Sequence, residues 1–136
     1  MRPPEQVKRE LIQQWLAKAE EDFRVGEYLL SEDTAYLSAI GFHAQQAAEK
    51  YLKAFLVLHQ IEFPKTHNLG ELLDLFSQVD PSLALSLRDI TVLNPYGVDI
   101  RYPADFPEMT LEDAREALKL AAKTRDAIRS ALKGIH

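Results

Sequence analysis

The segment Phe42-His43-Ala44-Gln45-Gln46-Ala47-Ala48-Glu49-Lys50-Tyr51-Leu52-Lys53-Ala54-Phe55-Leu56 constrains the fold more than any other part of the chain. At roughly 100° per residue, Ala44, Ala48, Tyr51, Phe55 and Leu58 fall on one apolar stripe, which reads as helix. His43, Gln46, Lys50 and Lys53 cluster beside the stripe, within roughly a quarter of the helix circumference. An imidazole, an amide and two ammoniums form a set able to hold an anion or to grip a partner's carboxylates. The plainer reading is a solvated face flanking a core stripe.

The same period runs along most of the chain. Val7, Leu11, Ile12, Trp15, Ala19, Phe23, Gly26 and Leu30 recur at three- and four-residue steps and predict a first helix from about Pro4 to Leu30. The second helix is expected from Thr34 or Ala35 to about Gln60. Asn68, with Glu71 three residues on, predicts a capping box at the start of a third helix carrying Leu69, Leu72, Leu73, Phe76 and Val79. Asp80-Pro81 opens a short fourth helix with Leu83, Leu87 and Ile90 inward. Asn94 to Met109, punctuated by prolines and aromatics, reads as a long ordered loop. Thr110 caps a last helix whose stripe is Ala114, Leu118, Ala121, Ile128 and Leu132. The expected class is all-α: an up-and-down four-helix bundle with an additional short helix, one domain over residues 1–136.

Two charges break the apolar stripes. Asp22 sits within that of the first helix and Arg125 within that of the last. An unpaired buried carboxylate is costly, so the two are expected to pair across the bundle as a structural ion pair.

Composition narrows the function. The net charge of -5 argues against whole-surface nucleic-acid binding, which needs clustered Lys and Arg. There is no cysteine, which excludes disulfides and thiolate chemistry and fits a cytoplasmic location. No stretch approaches the ~20 apolar residues of a membrane span, and Met1-Arg2-Pro3-Pro4-Glu5 does not open a secretory signal. His43, His59, His67 and His136 show no chelating spacing, so no metal site is expected. No Gly-rich phosphate loop or serine nucleophile elbow is present.

Two further polar groups join the helix-two face. Lys65-Thr66-His67 precedes the third helix, whose first amides would suit a phosphate or carboxylate; a turn-and-cap role is the alternative. In the long loop, Tyr96 and Tyr102 offer stacking surfaces and Arg101 a bidentate clamp. The alternative for Arg101 is to tie the loop to the bundle.

Phe42 to Ala54, Lys65-Thr66-His67-Asn68-Leu69 and Arg101-Tyr102-Pro103, with Trp15, Ala19 and Asp22 before them, together resemble the HEPN domain family (higher-eukaryote and prokaryote nucleotide-binding). The resemblance spans nearly the whole chain. It implies a helical bundle, often a homodimer, in a prokaryotic protein commonly encoded beside a minimal nucleotidyltransferase. Many family members are metal-independent ribonucleases, often toxins, with an Arg, four to six residues and a His on a late helix. Arg101 here is followed by Tyr102-Pro103-Ala104-Asp105-Phe106-Pro107 with no His in range, and Arg129 meets that spacing only with the terminal His136.

The resulting expectation is a non-catalytic module that binds a nucleotide, ATP or GTP, and a nucleotidyltransferase partner, within a toxin–antitoxin pair. Its site would join His43, Gln46, Lys50, Lys53, His67, Tyr96, Arg101 and Tyr102. The alternatives are a metal-independent ribonuclease acting on RNA and a purely structural dimerisation protein.

Overall fold

The structure, a computed structural model, describes residues 4–32, 36–97 and 108–133. Its elements are α1 (Pro4–Ser31), α2 (Leu37–Leu58), α3 (Leu69–Phe76), α4 (Pro81–Ser86), a 3-10 segment (Arg88–Gly97) and α5 (Leu111–Ala131). No strand occurs among the described residues, so the chain is the expected all-α bundle. No helix among them is long and apolar enough to cross a membrane.

The apolar stripe of the second helix makes α2 the central element. Ala44, Ala48, Tyr51 and Phe55 are all buried, and so are Ile40, Ala47, Leu52, Ala54 and Leu56 around them. A helix apolar on more than one side must be covered on more than one side. Here α1, α3, α5 and the 3-10 segment all pack on α2. Antiparallel α1 lays Trp15 edge-on to Phe63, while Phe55 stacks on Phe76 of α3 with centroids 3.8 Å apart. α5 crosses α1 closely at Gly26, where an added Cβ would stand 2.7 Å from the Leu118 Cδ2 methyl.

Local chemistry sets the boundaries. Thr110 and Asp113 form a reciprocal capping box at α5. Asp80 caps α4 with Pro81 in the first turn. Asn68 caps α3 by accepting from the Gly70 and Glu71 amides. The Asn68 amide, which a capping box would give to Glu71, donates to Thr66 Oγ1 instead, and Asn94 Oδ1 accepts from the next amide, that of Leu69, at 2.8 Å. Asn94 therefore ties the 3-10 segment to α3, and the residues from Asn94 to Gly97, expected as loop, continue helical turns. Residues 98–107, including Arg101, Tyr102 and Pro103, lie outside the described residues, as do Pro3, Thr34, Ala35 and His136.

Three side chains depart from their expected places, and the first is Leu11 of the α1 stripe, which is exposed. Val79 lies past the end of α3 and is exposed. In α5 the buried slot between Ala121 and Ile128 belongs to Thr124, whose hydroxyl donates to the Leu120 carbonyl. That leaves Arg125 one step round the helix, half-buried.

α2 ends in a tight reversal. Ile61 N–H donates to the Leu56 carbonyl and Gln60 N–H to the Val57 carbonyl, with Gln60 at φ 56°. This is a Schellman ending with glutamine at the left-handed position that glycine favours. A side chain there costs about 1 kcal/mol. Gln60→Gly is expected to raise the stability by about 1 kcal/mol, read as a higher urea midpoint at unchanged slope. No gain would mean that the Gln60 side chain offsets its backbone strain.

Candidate functional site

Two carboxylates organise the polar face of α2, and each holds one lysine and one histidine. Asp22 of α1 sits in the seam with α2, only 8% exposed. Its Oδ1 meets His43 Nδ1 at 2.8 Å, and its Oδ2 accepts from Lys50 Nζ at 2.5 Å. His43 and Lys50 are one face of α2 by their seven-residue spacing, so one carboxylate bridges two turns. A carboxylate accepting from Nδ1–H leaves Nε2 as the acceptor nitrogen of the ring.

Glu49 makes the second cluster and is 2% exposed. Its Oε2 accepts from Lys53 Nζ at 2.9 Å, and its Oε1 meets His67 Nδ1 at 2.9 Å. Lys53 Nζ also lies 5.4 Å from the Trp15 ring centroid and 5.6 Å from that of Phe63. The ammonium is thus enclosed between a carboxylate and two aromatic faces. Lys53 is spent on the interior, where breaking such a pair costs about 3–5 kcal/mol, and it presents no charge to an incoming anion.

Amides extend the Glu49 cluster along α2. Gln45, fully buried, donates from Nε2 to the His67 carbonyl at 2.8 Å, and its Oε1 accepts from Gln46 Nε2 at 2.7 Å. Gln45 sits against Gly97, where an added Cβ would stand 2.5 Å from its Cδ. Only glycine lets the end of the 3-10 segment approach the amide this closely. The polar band thus has two parts: Gln46 lies one helical turn from His43 and from Lys50, and a hydrogen-bonded chain runs from Gln46 through Gln45 to the His67 carbonyl. Tyr96, beside Gly97, is half-buried and packs near Gly41 of α2.

The start of α3 is not an open anion site. Its Leu69, Gly70 and Glu71 amides already donate to Asn94 and Asn68, and Thr66 Oγ1 accepts from the Asn68 amide. The turn-and-cap reading of Thr66 holds. Asp22 and Arg125 do not pair. Asp22 is satisfied by His43 and Lys50, while Arg125 lies over the Phe23 ring, 4.6 Å from its centroid, and bonds Asp126. The apolar stripe placed both charges at helix seams but did not say which seam.

Sequence reasoning missed Gln45 and Glu49, although Gln45, Glu49 and Lys53 form a ladder at four-residue steps that signals coupling along one helix face. It also missed a third carboxylate cluster. Glu20 Oε2 accepts from Tyr51 Oη at 2.7 Å and Arg129 Nη2 at 2.9 Å, and its Oε1 accepts from Arg24 Nε at 3.3 Å. On the apolar stripe of α2, Tyr51 reads only as a core aromatic. Burial pushes the Glu20 carboxyl up, but the hydrogen bonds from Tyr51 and Arg24 and the charges of Arg129 and Arg24 outweigh it and hold the pKa below the usual value. Burial, followed by the bond to Glu20 and its charge, pushes the Tyr51 phenol well above 10.0.

Residues 12–131 match the HEPN domain. A Methanocaldococcus jannaschii protein described as "Putative toxin MJ1304" is 29% identical over 133 residues, covering 88% of this chain and 86% of that one. The crystal structure of ST0689, an archaeal HEPN homologue, superposes with a TM-score of 0.71 at 25% identity, covering 90% of this chain and 98% of that one.

Two outcomes follow from the clusters. In a double-mutant cycle, Asp22→Asn and Lys50→Met are expected to couple by about 1 kcal/mol or more, while Asp22→Asn and Arg125→Gln add; the reverse pattern would refute the pairing described. The Tyr51 phenol, whose folded pKa is raised, contributes stability that is complete below 10.0 and is lost as pH rises from there. Glu20, with its pKa lowered, contributes above 4.5 and loses that contribution as pH falls through its folded value. Urea unfolding from about pH 9 to about pH 11 should show a steeper loss in the wild type than in Tyr51→Phe. Equal slopes would remove Tyr51 from the account.

Proposed function

This chain belongs to the HEPN domain family, and from the geometry of its α2 face we propose that it is the helical, toxin-side module of a toxin–antitoxin pair. In this reading it binds a nucleotide and a minimal nucleotidyltransferase partner through that face, and the partner supplies metal and chemistry. The similarity to a protein named as a toxin supports the toxin side.

The observation that carries the binding proposal is Asp22 holding His43 and Lys50 at a half-buried surface. Pre-oriented side chains lose little freedom when a ligand arrives, which favours binding. The imidazole offers Nε2, and Lys50 has two further N–H donors beyond the one used on Asp22. Gln46 lies one turn from both. Lys53 belongs to the support rather than to the ligand contacts, because its charge is enclosed.

A second reading rests on the same imidazoles. Asp22 with His43 and Glu49 with His67 each fix a ring through Nδ1, the arrangement by which a carboxylate orients a general base. Under this reading the protein is a metal-independent ribonuclease in which a ring Nε2 moves the proton.

One set of proteins separates the two. Calorimetric titration of ATP and GTP into the free protein and into its complex with a nucleotidyltransferase is expected to show binding that His43→Ala weakens about tenfold, or about 1.4 kcal/mol. Arg125→Gln, away from the band, should leave it unchanged. Absence of binding in both preparations would overturn the first reading. RNA cleavage in EDTA that His43→Ala or His67→Ala abolishes would establish the second in its place.

A further inference from the structure

The third carboxylate cluster lines a cleft on the opposite flank of α1. Glu20 and Asp22 stand roughly 200° apart around the helix, so one faces the cleft and the other the α2 polar band. The cleft has a volume of about 550 Å³ and is lined by Gln13, Leu16, Ala17, Arg24 and Arg129 around Glu20, with Tyr51 and Leu132 at its base. That volume lies within the range of small-molecule sites, about 300–1,000 Å³.

The charges in it do not cancel. Two guanidiniums stand against one carboxylate, and Arg125, the next cation along α5, is engaged by Asp126. Among the side chains that line the cleft one positive charge is left in excess, with Glu21 in the adjoining groove beyond Arg24. Glu20 takes Nε of Arg24 and Nη2 of Arg129, so each guanidinium is held in place with further N–H groups unspent. Arg24 and Arg129 keep much of their side chains in solvent, at 76% and 54% exposure. Leu16, Ala17 and Leu132 supply an apolar wall beside them. The Tyr51 hydroxyl donates to Glu20 and holds the carboxylate as the buttress of both forks.

The geometry points to a binding site for an organic monocarboxylate, with its planar head between Arg24 and Arg129 and its apolar body on Leu16, Ala17 and Leu132. A planar carboxylate matches the guanidinium fork. A single negative charge matches the single excess positive charge, whereas a phosphate monoester dianion would overload it. This site is separate from the His43 and Lys50 face and takes a different ligand, so the two stand or fall independently.

Benzoate is the probe. In amide-resolved NMR titrations of the full chain, benzoate is expected to shift the resonances of Ala17, Glu20 and Arg129 saturably, in the millimolar range. Benzyl alcohol, which keeps the ring and loses the charge, should not. Arg129→Gln and Arg24→Gln should each weaken benzoate at least about fivefold, and His43→Ala should leave it unchanged. Because both arginines are exposed, these variants are expected to fold, and Arg129→Lys, which keeps charge but not the fork, should recover only part of the affinity. Equal shifts with benzyl alcohol, or benzoate binding unaltered in both glutamine variants, would overturn the proposal. Dimethyl phosphate binding as tightly as benzoate would also overturn the carboxylate assignment, since it would show that any monoanion suffices.

Discussion

The Asp22 carboxylate, enclosed between the first two helices, is the interaction on which the rest of the polar architecture depends. A buried carboxylate must be paired and hydrogen-bonded. His43 and Lys50 satisfy it from successive turns of α2, which fixes both the rotation of α2 and the orientation of an imidazole at the surface. The Glu49 cluster repeats this solution deeper in the bundle, with Lys53 and His67. Polar groups that look on paper like a cationic patch are, in three dimensions, two nearly neutral clusters. The face therefore offers directed hydrogen-bonding groups more than net charge.

Much of the fold was legible in the sequence because apolar period and capping chemistry are local. The α1 stripe, the α2 stripe and the caps at Asp80 and Thr110 were each readable from a few neighbouring residues. Where the reading failed, the deciding partner was distant. Nothing near Asn68 announces that Asn94 will complete its cap, 26 residues on. Nothing near Asp22 says that a lysine 28 residues away, rather than an arginine on the last helix, will satisfy it. Arg125 was misplaced for a subtler reason: Thr124, able to bond its own helix, can occupy the interior slot that a stripe of larger apolar residues seemed to assign one position later.

The candidate site was half legible. His43, Gln46 and Lys50 follow one face of α2, and Gln46 is joined through Gln45 to His67. What the sequence could not show is which of the grouped cations face outward. Lys50 and Lys53 differ by three residues and look equivalent on a helical projection, yet Trp15 and Phe63 close over one of them and not the other. Burial of a charge depends on what the neighbouring helix and loop bring, and that information lies outside the segment.

The two acids on α1 grip α2 from opposite sides of one seam. Glu20 holds Tyr51 and Asp22 holds Lys50, consecutive residues of α2. Rolling α1 to shorten one contact lengthens the other, and sliding it by a turn, about 5.4 Å, breaks both. The seam thus behaves as a keyed shaft. Any change in the rotation or register of α1 on α2 must therefore exchange the hydrogen-bond partners of both acids together.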